Sequence, residues 1–117
     1  MEKINQKEVR IGNYVNVIGL LPVIVTWQHI KSISEGDNQY RPILIAEYWL
    51  LKFGFEPSGR KEEYCLSKND CNVIISRIQG DWNFIWELSF MGRPIKYVHQ
   101  LQNLYFAVTG MELVYSL

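Results

Sequence analysis

Surplus charge is the first thing this sequence lacks. Its 12 Lys and Arg residues stand against 12 Asp and Glu. Phosphate backbones are gripped by a basic excess or stripe, so this balance argues against a protein that holds nucleic acid chiefly by electrostatics. The basic residues are also dispersed: Arg60-Lys61 runs straight into Glu62-Glu63. Histidine is scarce, with only His29 and His99, and neither has a ligand-type companion three or four residues away. A metal centre needs three or four converging donors, so none is expected. There are 2 cysteines, Cys65 and Cys71, too few for a disulfide scaffold, and their spacing is not a zinc pattern. They flank the polar turn Ser67–Asp70. Free thiols in a reducing cytoplasm are expected, with a bridge across a hairpin as the alternative. Long apolar runs are missing too. The longest, Val17 to Trp27, is broken by Gly19 and Pro22 and falls short of the ~20 residues a bilayer requires. The start, Met1 to Glu8, is polar and mixed in charge and does not read as a secretory signal. The glycines are scattered as turns and caps, so no phosphate-cradling loop is formed.

What is present is apolar and aromatic. Hydrophobic residues make up 48% of the 117 positions, including 4 Trp, 7 Tyr and 5 Phe. Such a chain can afford a packed core and is not disordered. Its length suits one domain over residues 1–117. Residues 9–18 alternate apolar with polar and predict a half-buried strand. Val23–Trp27 is β-branched and aromatic and predicts the returning strand, with Ile30 and Ile33 extending it or opening another. Ala46–Gly54 predicts a short helix, with Trp49, Leu50 and Phe53 on one face and Gly54 as its stop. Glu63–Leu66 and Asn72–Ile78 predict two further strands. Asn83–Phe90 predicts a third, with Phe84, Trp86, Leu88 and Phe90 sharing a face. A long helix is predicted within 95–109, starting near Tyr97 or Val98. Tyr97, Val98, Leu101, Leu104, Tyr105 and Val108 form its apolar stripe, and Gly110 stops it. Strands, short helix, strands, long helix is an α+β order. The expected fold is a small antiparallel sheet or meander, with an SH3-like barrel as the outline at the N-terminus, and the two helices packed on it.

Three stretches carry a family likeness. They are Arg10-Ile11-Gly12-Asn13-Tyr14-Val15, then Glu47–Phe55 (EYWLLKFGF), then Lys96–Ala107 (KYVHQLQNLYFA) followed by Thr109–Leu113 (TGMEL). In this order they resemble a family of small uncharacterised proteins of Bacteroidota and their phages. No activity or site residue comes with that resemblance. It implies a context: a small cytoplasmic accessory protein of a phage, prophage or mobile element, of the kind that often counters host defence.

No catalytic set stands out. A nucleophile needs an oriented base beside it. Cys65 or Cys71 would meet His99 only through the fold, and small core residues are the plainer assignment for both thiols. Glycosidases need two carboxylates across a cleft. Asp81 falls in a turn and Glu87 reads as a solvated strand residue. The more informative surface is the polar side of the last helix, where His99, Gln102, Asn103 and Phe106 lie together on the wheel. A ring among amides suits a partner or a nucleotide-like ligand, unless another segment covers it. Trp82 follows a turn. Either it packs on the sheet edge or, with Tyr40, Arg41 and Arg93, it stacks a base.

These residues lead to a non-enzymatic, cytoplasmic binding module without a cofactor. Its candidate ligand- or partner-binding residues are His99, Gln102, Asn103, Phe106 and Trp82, with no catalytic residue and no metal ligand among them. The expected partner is a host protein or a small nucleotide-like molecule, and not a membrane. Homo-oligomer formation is a further expectation. A nucleic-acid-binding accessory protein using exposed aromatics, and a small enzyme, are the alternatives.

Overall fold

Among the described residues, two antiparallel sheets and three helices build the fold. The computed structural model describes residues 4–18, 22–37, 39–68, 71–86 and 89–114. The α+β class expected from the sequence is the one observed.

The first sheet has β1 (Tyr14–Val17) in the middle, with β2 (Val23–Ile24) and β3 (Tyr40–Arg41) on either side. Alternation gives β1 two masters. Val15 and Val17 turn to a small core with Val9, Val25, Ile33 and Tyr40. Tyr14 turns the other way, into the main core, where its ring lies 5.4 Å from Trp49 and 5.8 Å from Phe53. Two of the three strands are only two residues long and a helix covers the sheet, and no SH3-like barrel is shown among the described residues.

That helix, α1 (Trp27–Ser34), is a correction to the strand expected there. The β-branched run ends at Ile24, and Thr26 sits in extended conformation at the helix start. Its backbone N–H donates to His29 Nδ1 at 2.9 Å, so one of the two histidines closes the first turn. Ile30 and Ile33, three apart, then face the small core. Capping and helical spacing overrule local β propensity.

The second sheet runs in sequence order: β4 (Glu56–Pro57), β5 (Glu63–Lys68), β6 (Cys71–Ile78), β7 (Asp81–Trp86) and β8 (Ser89–Phe90). Register stacks its inner face in rungs. Leu66, Val73 and Trp86 form one, Tyr64, Ile75 and Phe84 the next, and Arg77 and Trp82 the last before the hairpin. The straight strand expected over 83–90 is a second correction. The chain reverses after Trp86, and Phe90 pairs with Ile85 on the outer face, exposed. Two-residue periodicity cannot tell a continuing strand from one that folds back on itself. Glu87 and Leu88 lie outside the described residues. The cysteines are not opposite each other, since Cys65 faces Ile74 and Cys71 faces Lys68, and Cys65 is a free thiol.

Helix α2 (Glu47–Lys52) and helix α3 (Val98–Thr109) close the inner face. Trp49 and Leu50 of α2 and Val98, Leu101 and Tyr105 of α3 are buried there with Phe53 and Phe55. Gly110 ends α3 at φ 73°, a left-handed position that favours glycine. Between the helices and β7 runs a strap. Ile95 N–H donates to Trp82 O at 2.8 Å, Ile45 N–H to Lys96 O at 3.0 Å, and Val98 N–H to Ile43 O at 2.7 Å.

Candidate functional site

The polar side of α3 does not face solvent; the N-terminal segment lies on it. Gln102 is fully buried. Its Oε1 accepts from Tyr14 N–H at 2.9 Å, and its Nε2 donates to the Gly12 and Leu113 carbonyls, each at 3.1 Å. Asn103 donates to the Glu8 carbonyl at 2.6 Å and accepts from Asn13 Nδ2 at 2.9 Å. Asn13, itself buried, uses its Oδ1 to accept from Arg10 N–H at 2.8 Å. These amides satisfy backbone and side-chain groups that burial would otherwise orphan, so they are spent on the fold.

His99 is likewise buried, with Nε2 3.3 Å from Glu8 Oε1. A carboxylate accepts, so Nε2 carries the proton and donates. Burial pushes the imidazole below its ordinary value, against the pull of the Glu8 carboxylate, and His99 is neutral at pH 7. Its ring stacks on Tyr97 at 5.7 Å.

Phe106 is the member that stays half in water, 42% exposed. The Arg10 guanidinium lies 4.6 Å from its ring centroid and forks onto Glu112 at 2.8 and 3.0 Å. Gly12, at φ 98°, holds the turn behind this clasp. The three stretches that carry the family likeness therefore meet. Arg10–Tyr14 docks on α3 and on Glu112, and the Tyr14 ring docks on α2.

Trp82 has a different setting. It ends the inner face of the second sheet, half-buried, with its ring 6.2 Å from that of Tyr64. The cation at its face is Arg77, 5.8 Å from the ring centroid and directly across in the register. Of the two settings the sequence offered, packing on the sheet and grouping with Tyr40, Arg41 and Arg93, Trp82 shows the first. Tyr40 packs edge-on against His29 in the first sheet. Trp82 and Arg77 open onto a cleft of about 460 Å³, walled by Leu44, Ile45, Pro94 and Ile95 and edged by Asp81 and Lys96. That volume lies within the ~300–1,000 Å³ of small-molecule sites. The strap makes the far wall, because its bonds to Trp82 and to Ile45 hold Ile95 and Lys96 against the sheet. Burial, and then the Glu47 carboxylate accepting from its hydroxyl, push the Tyr64 phenol above its ordinary value.

Arg77, Lys96 and Leu44 were not singled out from the sequence. The signal for Arg77 was the hairpin itself: a turn at Gln79-Gly80 puts residue 77 opposite residue 82. A second surface was also missed. Register lines up Cys65, Ile74, Ile85 and Phe90 across four strands on the outer face of the sheet. Among the described residues no three His, Cys, Asp or Glu side chains gather as a metal site would require. No helix there is long and apolar enough to cross a membrane. No protein-family model, curated protein or solved structure matches the chain.

Proposed function

We propose that this protein is a non-enzymatic binding module that takes a small, ring-bearing ligand of nucleotide-like chemistry in the Trp82 cleft. The observation that supports this is the pairing of a half-buried Trp82 with the Arg77 guanidinium at the mouth of an apolar-walled cleft of about 460 Å³. Rings stack on indole and on guanidinium planes, and a few polar groups at the edge fix orientation. The site differs from the one expected on α3: Gln102 and Asn103 hold the fold, while Trp82 faces the cleft. The resemblance to the Bacteroidota and phage family adds the context of a cytoplasmic accessory protein that withdraws its ligand from host defence. Native mass spectrometry of the purified protein tests the reading. The expected result is a bound small molecule that Trp82→Ala loses while remaining folded. A protein with no ligand, and with no affinity for any ring compound tried, would sink the reading.

A second reading rests on the outer row Cys65, Ile74, Ile85 and Phe90, where Phe90 is 62% exposed. An apolar row flanked by Ser67, Asn72 and Asn83 has the makings of a protein-facing patch. Here the occupant is a host protein. Phe90→Asp is expected to abolish its capture from a lysate and to leave the Trp82 cleft unchanged.

A further inference from the structure

The edge of the Trp82 cleft points to the hydrogen-bonding pattern its ligand carries, and this inference rests on the reading of that cleft as a ring site. The charged residues that line it are Arg77, Asp81 and Lys96. Lys96 is already engaged, with Nζ 5.5 Å from the Tyr97 ring centroid. Arg77 and Asp81 remain, one charge of each sign, so the lining has no surplus charge to offer an anion. What it does offer is a donor fork. Arg77 is tethered through Nε to the Gly80 carbonyl at 3.4 Å, and among the described residues its two NH2 groups donate no hydrogen bond. Its guanidinium lies 5.8 Å from the Trp82 ring centroid, within reach of the edge of a ring stacked on the indole. A planar fork held at one nitrogen and open at the other two is suited to two parallel bonds with adjacent acceptor atoms.

We propose that the cleft selects an uncharged purine with two adjacent acceptors on one edge, which is guanine, carried as its nucleoside. Guanine presents N7 and O6 side by side, whereas adenine presents N7 beside an amino donor that opposes the fork. The ring lies against Trp82 between the Leu44 and Ile95 walls, with N7 and O6 toward the two Arg77 NH2 groups. A two-ring purine covers more of the indole than a single-ring pyrimidine does. Asp81 offsets the charge of Arg77, so a phosphate on the ligand finds no net attraction and adds little to binding.

Titration calorimetry with the intact protein separates the outcomes, using guanosine, 7-deazaguanosine, adenosine, cytidine, GMP and a 12-nucleotide single strand. The expected result is that guanosine binds at least about tenfold tighter than adenosine or cytidine, and that 7-deazaguanosine, which lacks the N7 acceptor, loses that advantage. GMP is expected to bind within about threefold of guanosine. Arg77→Gln is expected to bring guanosine down to the affinity of adenosine, and Trp82→Ala to remove both. Equal binding of guanosine and adenosine, or discrimination that survives Arg77→Gln, would overturn the edge assignment and leave the ring site standing. Cytidine matching guanosine would overturn the purine assignment. GMP about tenfold tighter than guanosine would overturn the uncharged-ligand assignment. A single strand about tenfold tighter than guanosine would place nucleic acid in the cleft instead. Failure of all of them to bind would remove the ring site along with the inference.

Discussion

Arg10 over Phe106 and Arg77 over Trp82 are the same pairing in two settings. At the first, the guanidinium lies 4.6 Å from the ring and is forked onto Glu112 at 2.8 and 3.0 Å. At the second it lies 5.8 Å away, anchored by one 3.4 Å bond to a carbonyl. Arg10 spends its donors on the fold, and the amides around it, Gln102, Asn103 and Asn13, spend theirs too. Arg77 keeps two nitrogens in hand beside a cleft. The difference teaches that residue type alone does not mark a binding site. A histidine, two amides and a ring on one helix face make a convincing recognition surface until a segment some ninety positions away lies down on them.

The largest effect that would break this contrast is Gln102→Leu. It leaves Tyr14 N–H and the Gly12 and Leu113 carbonyls without their partner in a dry site. At ~1–3 kcal/mol for each orphaned group, the loss of stability should reach about 3 kcal/mol or more in chemical denaturation. If the variant keeps wild-type stability, the interlock is not what holds the N-terminal segment.

His99 gives the next effect. Its folded value is depressed by burial, so below about pH 6.5 the unfolded chain takes up a proton that the folded chain refuses. Stability is therefore full above that pH and falls as the pH drops toward the folded value, by at most about 1.4 kcal/mol per pH unit. Denaturation midpoints followed from pH 7 to 5 should show this slope in the wild type and lose it in His99→Gln. A slope that persists in the variant would assign the acid sensitivity to other groups.

The clasp itself should matter less. Arg10 and Glu112 are both partly exposed, so Arg10→Ala is expected to cost about 1 kcal/mol, from the ion pair and the ring contact together. A double-mutant cycle with Glu112→Ala separates the two contributions. Smallest of all is Arg77→Ala, expected to change stability by less than about 0.5 kcal/mol, as for an exposed residue held by one long hydrogen bond and a distant ring contact. A cost there equal to that of Arg10→Ala would erase the distinction between the two sites.

Much of the framework was legible because local and global preferences agree. Helix α2 and helix α3 carry helical spacing and glycine stops, and the hairpin of β5 and β6 carries alternation around a polar turn. Where they disagree, the sequence misleads. Helix α1 follows β-branched residues and is held by a cap whose acceptor is a histidine. The reversal between β7 and β8 keeps the alternation that a straight strand would show. Of the candidate site, Trp82 was legible from its place after a turn, but its neighbours were not. Arg77 reaches it only through register, and Lys96 and Leu44 only through the strap. The role of Gln102 was out of reach for the same reason, since its partners are separated from it by 88 and 90 positions.

That separation also has a meaning in time. A ribosome adds roughly 5–20 residues per second, so Tyr14 is made about 4–18 seconds before Gln102. Through that interval the first strand has been synthesised but its deepest hydrogen bond has no acceptor. The interlock around Tyr14 is complete only once the last helix has been made and lies against it.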